Sequence, residues 1–387
     1  MKAEWRRKKL TEVLKIQNGY AFDAKKFNPS KGMPLVRIRS LKSGIETETW
    51  FDGPYDEKYV VNAGDLLIGM DGEFGCFEWK GNPSLLNQRV CRLQDFTGEL
   101  IPRFLFYGVN DYLKAIEDVT GFATVKHLSS KQVLDIDFPV PPLPEQHRIV
   151  AILDKAFDGI ATAKANAEKN LQNARALFES HLQAVFTERG EGWELKTLEE
   201  IATTFGRGKS RHRPRNAPHL YGGKYPFVQT GDIRNAGHVI TEYSQTYSEA
   251  GLAQSKLWPK GTICITIAAN IAETAILRFD ACFPDSVIGV VANPMEADVD
   301  FIEYLLQSFK ARIQSMGKGS AQANINMGTF ENERFPFPSV AVQKTIVAKL
   351  DALAEETQRL ESLYRQKLAA LEELKKSLLH RAFCGQL

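Results

Sequence analysis

The sequence lacks the features that mark several protein classes. Its five cysteines are widely spread and form no CxxC pair, which argues against a disulfide framework and a zinc site. Its most apolar uncharged run, residues 261–272, is too short and too polar to span a membrane. The first ten residues are basic but lead into no apolar core with a cleavage site, so we expect no secretory signal. These absences predict a soluble protein of the reducing cytoplasm.

An excess of charge of one sign is also absent. The chain has 387 residues with 49 basic and 47 acidic side chains, which leaves a net charge of +2. The local distribution is uneven, because residues 203–229 contain no acid while residues 207–215 carry five cations. This pattern is typical of a polyanion contact, since cations that neutralise phosphates supply sequence-independent affinity.

An internal repeat determines the predicted architecture. Residues 138–154 and 335–351 are identical at nine of seventeen positions, and weaker similarities extend toward the start of each half. A period this long indicates a duplicated domain with a connector. The predicted division is 1–143 for the first domain, 144–188 for a first helix, 189–338 for the second domain and 339–387 for a second helix.

Each repeated domain mixes short strands with a helix. LVRIRS from Leu35, DLLIGM from Asp65 and their counterparts in the second half predict strands, and helical patterns begin near Ile101 and Asp300. Proline-rich segments at Phe138 and Phe335 favour extended backbone and end each domain. The predicted class is α+β, with two similar mixed domains.

The two connecting segments have heptad patterns. Apolar residues recur at alternating steps of three and four over about forty residues, far longer than an ordinary globular helix. A helix packed only on its own domain would leave both seams uncovered, so we predict that the two helices pair as an antiparallel coiled coil. The residues predicted to mediate pairing are Leu153, Ile160, Leu177, Leu353, Leu360, Leu371 and Leu374.

Catalytic motifs are weak or incomplete. GRGKS from Gly206 lacks the first glycine of a phosphate-binding loop. Glu78 and Lys80, with Asp65 upstream, resemble the skeleton of a metal-dependent nuclease, but the second half does not repeat this pattern. The seven histidines show no metal-ligand spacing. We therefore expect no catalytic residue, no metal and no cofactor in this chain.

The sequence resembles the specificity subunit of type I restriction-modification enzymes. The resemblance lies in EQHRIVAILD and VQKTIVAKLD, in LKKSLLHRAFCGQL, in NGYAFDAKKF, and in GDLLIGMDGEFG followed by SLLNQRV. It implies two target-recognition domains that each read one half of a split, asymmetric sequence in double-stranded DNA. It also implies that the helices fix the spacing and dock two methyltransferase subunits, which bind S-adenosylmethionine and methylate adenine, and that restriction and translocase subunits join for cleavage.

Two alternatives stay open from the sequence. The partner could be a single fused methyltransferase and nuclease, which the neighbouring genes would reveal. The chain could also be a nuclease built on Glu78 and Lys80, which would require metal-dependent cleavage by the isolated chain.

Residues predicted to contact DNA are arginines, lysines and polar side chains near strand ends and in loops, because arginine pairs with guanine and amides pair with adenine. In the first domain they are Tyr20, Lys25, Lys26, Arg37, Arg39, Ser40, Lys42, Asn87, Arg89 and Lys126. In the second domain they are Arg207, Lys209, Ser210, Arg211, Arg213, Arg215, Thr230, Arg234, Asn270, Gln322 and Asn324. Trp50, Trp79 and Trp258 are predicted to be core residues rather than stacking platforms. The repeated pair Gln146 and Gln343 begins the two helices and is a further candidate for a functional role.

Overall fold

A computed structural model describes residues 5–120, 126–212, 214–268, 271–316, 325 and 327–387. The chain divides into two compact units. The first unit contains residues 1–167 and 367–387, and the second contains residues 168–366. Both boundaries fall inside long helices, so each unit consists of one mixed domain and parts of both helices.

The described residues of the first unit form three sheets. Its strands are β1 (Arg6–Lys9), β2 (Lys15–Asn18), β3 (Phe27–Asn28), β4 (Met33–Val36), β5 (Trp50–Phe51), β6 (Val60–Val61), β7 (Leu66–Gly69), β8 (Cys76–Glu78), β9 (Ser84–Leu86), β10 (Val90–Gln94) and β11 (Asp137–Val140). The strand orders are β2-β10-β7-β8, β3-β5-β4-β9-β6 and β1-β11. Its helices are α1 (Ile38–Leu41), α2 (Pro102–Val119) and α3 (Ser130–Leu134), followed by the first long helix α4 (Leu143–Thr187).

The second unit repeats this arrangement. Its strands are β12 (Glu194–Lys196), β13 (Ala202–Arg207), β14 (Tyr221–Phe227), β15 (Val239–Ile240), β16 (Gln245–Tyr247), β17 (Leu257–Trp258), β18 (Ile263–Thr266), β19 (Thr274–Leu277), β20 (Ala281–Cys282), β21 (Val287–Ala292) and β22 (Phe335–Phe337). The strand orders are β13-β21-β18-β19-β15, β16-β14-β20-β17 and β12-β22. Its helices are α5 (Thr230–Asn235), α6 (Glu249–Ala253), α7 (Val299–Met316) and α8 (Met327–Glu331), followed by the second long helix α9 (Val340–Phe383).

The proline-rich segments form edge strands that close each domain. β11 pairs antiparallel with β1, and β22 pairs antiparallel with β12, so the end of each domain is joined to its beginning. Proline is compatible with a two-stranded edge because its missing N–H can face away from the partner strand. The predicted α+β class and the duplication are confirmed.

One predicted strand is only partly correct. LVRIRS was expected to be a single strand, but β4 ends at Val36 and a short helix follows. The hydroxyl of Ser40 accepts the backbone N–H of Arg37 at 3.3 Å, which caps the start of that helix. The local capping bond therefore overrides the β-type pattern of the sequence.

Large aromatic side chains fill the cores. Trp79 and Trp258 are almost fully buried, as predicted, whereas Trp50 is half-buried in β5. In the first core, Phe104 and Phe138 pack with Phe383 from the end of α9. The terminal part of α9 is thereby an integral part of the first unit.

A buried glutamine anchors the start of each long helix. The side chain of Gln146 accepts the N–H of Ile101 and donates to the carbonyls of Glu99 and Pro141. Gln343 makes the same three bonds, with the N–H of Asp298 and the carbonyls of Glu296 and Pro338. Both side chains are fully buried, so they join helix to domain and are not exposed for docking a partner.

The two long helices pair antiparallel, as predicted. Lys164 of α4 lies 2.6 Å from Glu372 of α9, and Arg175 of α4 lies 3.0 Å from Glu361 of α9. Within the first unit, Arg148 near the start of α4 also donates to the carbonyl of Leu387, so advancing along α4 from Arg148 to Lys164 corresponds to moving back along the chain from Leu387 to Glu372. Each of these ion pairs lies within one unit.

Two residues of the predicted seam lie outside it. Leu153 is fully buried, and Ile160, Leu353, Leu360 and Leu371 are half-buried. Leu177 and Leu374, in contrast, are 57% and 47% exposed, so their predicted pairing role is wrong. In α4, a helix with 3.6 residues per turn lets a strict 3.5-residue pattern drift off the packed face after the buried Ala174. In α9, Leu371 and Leu378 on either side of Leu374 stay half-buried, so the exposure of Leu374 is local. In α4 the packed positions instead include the half-buried Phe178 and the buried Leu182.

Candidate nucleic-acid interface

In the first domain, exposed cations lie where β4 passes into α1. Arg37 precedes the helix and Arg39 lies within it, and both line a groove of about 360 Å³. Ser40 lines the same groove but is nearly buried, with its hydroxyl used in the helix cap. The junction thus brings two of the predicted contact residues to the surface and uses the third to support the backbone.

Three other predicted cations of the first domain surround the turn between β7 and β8. Lys42 Nζ lies 2.7 Å from Glu73 Oε2, and Arg89 Nη1 lies 3.0 Å from Asp71 Oδ2. The carbonyl of Lys126 accepts the N–H of Gly72, which brings this residue to the same turn. These contacts place carboxylates among the cations, a feature that the sequence analysis did not predict.

The side chain of Lys126 points to an internal partner. Its ammonium donates to the carbonyl of Glu117 at 2.8 Å and lies 3.8 Å from the same residue's carboxylate. Glu117 is buried and also accepts the N–H of Phe74. Lys126 therefore neutralises a buried acid of its own domain, and this contact opposes the predicted role in DNA binding.

The remaining first-domain candidates lie near the start of the chain. Tyr20 is 51% exposed and packs against the rings of Phe22 and Tyr59 with centroid distances of 5.1 Å. Asn87 is buried, and its side chain accepts the N–H of Arg89, as expected of a turn residue. Lys25 and Lys26 are exposed at the end of a short 3-10 turn.

Residues 207–215 are called the basic loop here, and polar groups of the second domain fix the backbone of its described residues. The N–H of Gly208 donates to the carbonyl of Val287, and the hydroxyl of Ser255 donates to the carbonyl of Lys209. The side-chain oxygen of Gln254 accepts the N–H groups of Arg211 and the next residue, at 2.6 and 3.0 Å. The side chains of Lys209 and Arg211 are exposed, whereas Ser210 is buried and has a structural role.

The two ends of the basic loop meet at Asp285. Arg207 Nε donates to the carbonyl oxygen of Asp285 at 2.7 Å. Arg215 Nη2 bridges both carboxylate oxygens of the same residue at 2.9 Å. Asp285 was not among the predicted site residues, because its contact with the basic loop joins segments about seventy residues apart.

The junction of β14 and α5 matches that of β4 and α1. The N–H of Gln229 is capped by the carboxylate of Asp232, as that of Arg37 is capped by Ser40. Arg234 is exposed on α5, whereas Thr230 is half-buried at its first position. The side chain before the helix is thus cationic in one domain and neutral in the other. Among the other predicted contacts, Arg213, Asn270, Gln322 and Asn324 lie outside the described residues.

The carboxylates of the possible nuclease motif have structural partners. Asp65 Oδ2 lies 3.1 Å from Arg92 Nη1, and Glu78 Oε2 lies 2.9 Å from Arg103 Nη1. Arg103 also binds Asp154 of α4. Among the described residues, no three histidine, cysteine or acidic side chains are grouped to hold a metal ion. None of the helices in the described part of the chain is long and apolar enough to cross a bilayer.

A buried ionic cluster in the second domain was missed by the sequence analysis. His238 Nδ1 lies 2.5 Å from Glu303 and Nε2 lies 3.3 Å from Asp300. Burial lowers the pKa of His238, but the two carboxylates outweigh it and raise the pKa to about 9. The ring stacks on Tyr304, whose hydroxyl donates to Asp351 of α9. The cluster therefore supports the packing of the domain on its helix.

Comparisons with known proteins agree with this architecture. The sequence family described as the type I restriction modification DNA specificity domain matches residues 2–172 and 190–372. The EcoBI specificity subunit of a type I restriction enzyme from Escherichia coli is 29% identical, over 99% of this chain and 86% of that protein. The MjaX specificity subunit, a putative one from Methanocaldococcus jannaschii, is 23% identical over 99% of this chain and 94% of that protein.

Solved structures share the fold. A chain from a study of complex assembly and conformational transition of a type I restriction-modification system has a TM-score of 0.79 and 19% identity. The alignment covers 100% of this chain and 99% of that one. The HsdS subunit from Thermoanaerobacter tengcongensis has a TM-score of 0.63 and 18% identity, with 100% and 98% covered.

Proposed function

The chain belongs to the family of type I restriction-modification DNA specificity subunits, and we propose that each of its two domains reads one half of a bipartite, asymmetric DNA site. The observation that carries the proposal is the repeated junction of a strand with a short capped helix, β4 with α1 and β14 with α5. The two junctions have the same backbone placement but different side chains. Two similar domains with different surface chemistry suit two different half-sites.

The long helices are proposed to set the spacing between the half-sites. A helix has a length proportional to its number of residues, about 1.5 Å for each. Removing seven residues shortens it by roughly 10 Å and nearly preserves its faces. This length corresponds to about three base pairs of B-form DNA.

The chemistry is proposed to reside in partner subunits. The similar proteins carry the name specificity subunit, and Asp65 and Glu78 each neutralise an arginine of their own domain. We therefore propose a non-catalytic cytoplasmic chain that binds double-stranded DNA, methyltransferase subunits and restriction subunits. S-adenosylmethionine would bind to the methyltransferase, and the exposed faces of α4 and α9 would dock it. A fused methyltransferase and nuclease partner is not favoured, since the relatives above belong to type I enzymes.

The decisive experiment is a single-molecule methylation map. The chain is expressed with the methyltransferase from the neighbouring gene in a host that lacks DNA methylation. The expected result is one split adenine motif with two different halves. A continuous motif, or no modified motif from a complex that assembles, would contradict the proposed function.

The spacer prediction uses matched deletions in the same assay. Because Lys164 faces Glu372 and Arg175 faces Glu361, deleting residues 166–172 and 364–370 removes matching segments from both helices. Both half-sites should persist while the spacer shortens by about three base pairs. Deleting only one segment is the control, since it breaks the pairing of the helices and should reduce methylation. An unchanged spacer in the double deletion would refute the role of the helices.

A further inference from the structure

The cations of the basic loop differ in whether their charge is balanced. Lys209 and Arg211 are exposed, and neither forms a side-chain ion pair with another described residue. Arg215, in contrast, is half-exposed and is paired with the carboxylate of Asp285. The sequence shows a uniform run of positive charge, but the fold divides it into balanced and unbalanced members.

The position of Asp285 is fixed by the fold around it. Arg207 donates to its carbonyl oxygen, and the N–H of Val287 donates to the carbonyl of Pro284 in the same turn. On the other side of the pair, the hydroxyl of Tyr221 donates to the carbonyl of Arg215 at 2.8 Å. The backbones of Arg215 and Asp285 are therefore both held in place, so the ion pair is a fixed feature of the basic loop.

An arginine that is paired in this way contributes little to phosphate binding. Sequence-independent affinity arises when unbalanced cations neutralise phosphates and release counterions. The pair of Arg215 with Asp285 has no net charge, and its carboxylate repels a phosphate that approaches the guanidinium. Arg211 has no carboxylate partner in the part of the chain that the structure describes, so its charge stays available to neutralise a phosphate.

We propose that Asp285 is a specificity-determining residue, which withholds Arg215 from DNA phosphates and so lowers affinity for non-target DNA. The inference rests on the proposed function, because it requires that the basic loop face DNA. The proposed DNA-binding surface would then include an acidic residue, whereas the sequence predicts only its cations. A specificity subunit benefits from this arrangement, because non-target sites in a genome far outnumber target sites.

The test measures the salt dependence of binding to DNA without a target. The full chain and its variants bind a labelled 40-base-pair duplex of arbitrary sequence, followed by fluorescence anisotropy from ~50 to ~200 mM salt. The variants are Asp285→Asn, Arg211→Ala and the double variant Arg215→Ala/Asp285→Asn, which removes both charges of the pair. Asp280→Asn is the matched control, since it removes the same charge from a carboxylate that accepts only a backbone N–H, that of Lys260, among the described residues. Unchanged thermal unfolding shows that each variant is folded.

The expected results differ in sign. Asp285→Asn should steepen the salt dependence by the equivalent of about one phosphate contact. The factor by which affinity falls between ~50 and ~200 mM salt should then be about 3.5 times larger than for the unaltered chain. Arg211→Ala should reduce the dependence by the same amount. The double variant Arg215→Ala/Asp285→Asn should leave it unchanged, because the pair that it removes has no net charge, and Asp280→Asn should also leave it unchanged. In the methylation map, Asp285→Asn should add sites outside the motif.

Two outcomes separate this inference from the proposed function. If the double variant Arg215→Ala/Asp285→Asn lowers the salt dependence as Arg211→Ala does, or if Asp285→Asn behaves like Asp280→Asn, the role of Asp285 is refuted while DNA binding stands. If the unaltered chain shows no salt-dependent binding to the duplex, the proposed function fails together with the inference. A gain of non-target affinity cannot result from mere loss of structure, which would only weaken binding.

Discussion

Replacing Gln343 by leucine tests the junction between the second domain and α9. The buried side chain bonds the N–H of Asp298 at 2.8 Å and the carbonyls of Glu296 and Pro338 at 3.1 and 2.8 Å. Leucine has a similar size but can form none of these bonds. Because each bond contributes about 1 kcal/mol net, and a buried group left unpaired costs more, we expect a loss of about 3 kcal/mol in the free energy of unfolding.

The assay is urea and thermal unfolding followed by circular dichroism. For a unit of this size, about 3 kcal/mol corresponds to a melting temperature lower by roughly 6–12 °C. Gln146→Leu should have the same effect on the first unit, because it removes the same three bonds. Gln366→Leu, on the exposed surface of α9, is the control and should change stability by about 0.5 kcal/mol or less. Losses below about 1 kcal/mol in both buried variants would refute the anchoring role.

Three further predictions concern packing, backbone and charge. Leu153→Ala should lower the free energy of chemical unfolding by about 2–5 kcal/mol and Leu374→Ala by less than about 1 kcal/mol, since only Leu153 is buried. Equal losses would contradict the burial assigned to these two residues. Gly208→Ala should weaken DNA binding, because a Cβ would lie 2.3 Å from a backbone oxygen, whereas Gly206→Ala, with open space there, should not. The stabilisation from His238 should be complete below about pH 6.5 and be lost as pH rises through about 9, and in His238→Gln this change in pH-dependent unfolding should vanish.

Many candidate DNA-contacting residues could be predicted from residue type, but the ion-pair partners and the burial of their side chains could not. The cations of the basic loop were found from local sequence alone, and most of them are exposed. The sequence did not reveal that Lys126 serves a buried glutamate or that Arg215 pairs with Asp285. Such ion pairs join residues that are far apart in the chain, so no local pattern predicts them.

Residue patterns alone were enough to predict the duplication, the α+β class, the long paired helices and the family. These features produce repeats and periodic patterns in the sequence, because they depend on local propensity and on burial of apolar faces. Which seam residues are buried depends on tertiary packing, which leaves Leu177 and Leu374 at the surface. It also assigned Gln146 and Gln343 to buried anchors and Asp285 to the basic loop, because contacts between distant segments decide which polar groups are buried and which charges are paired.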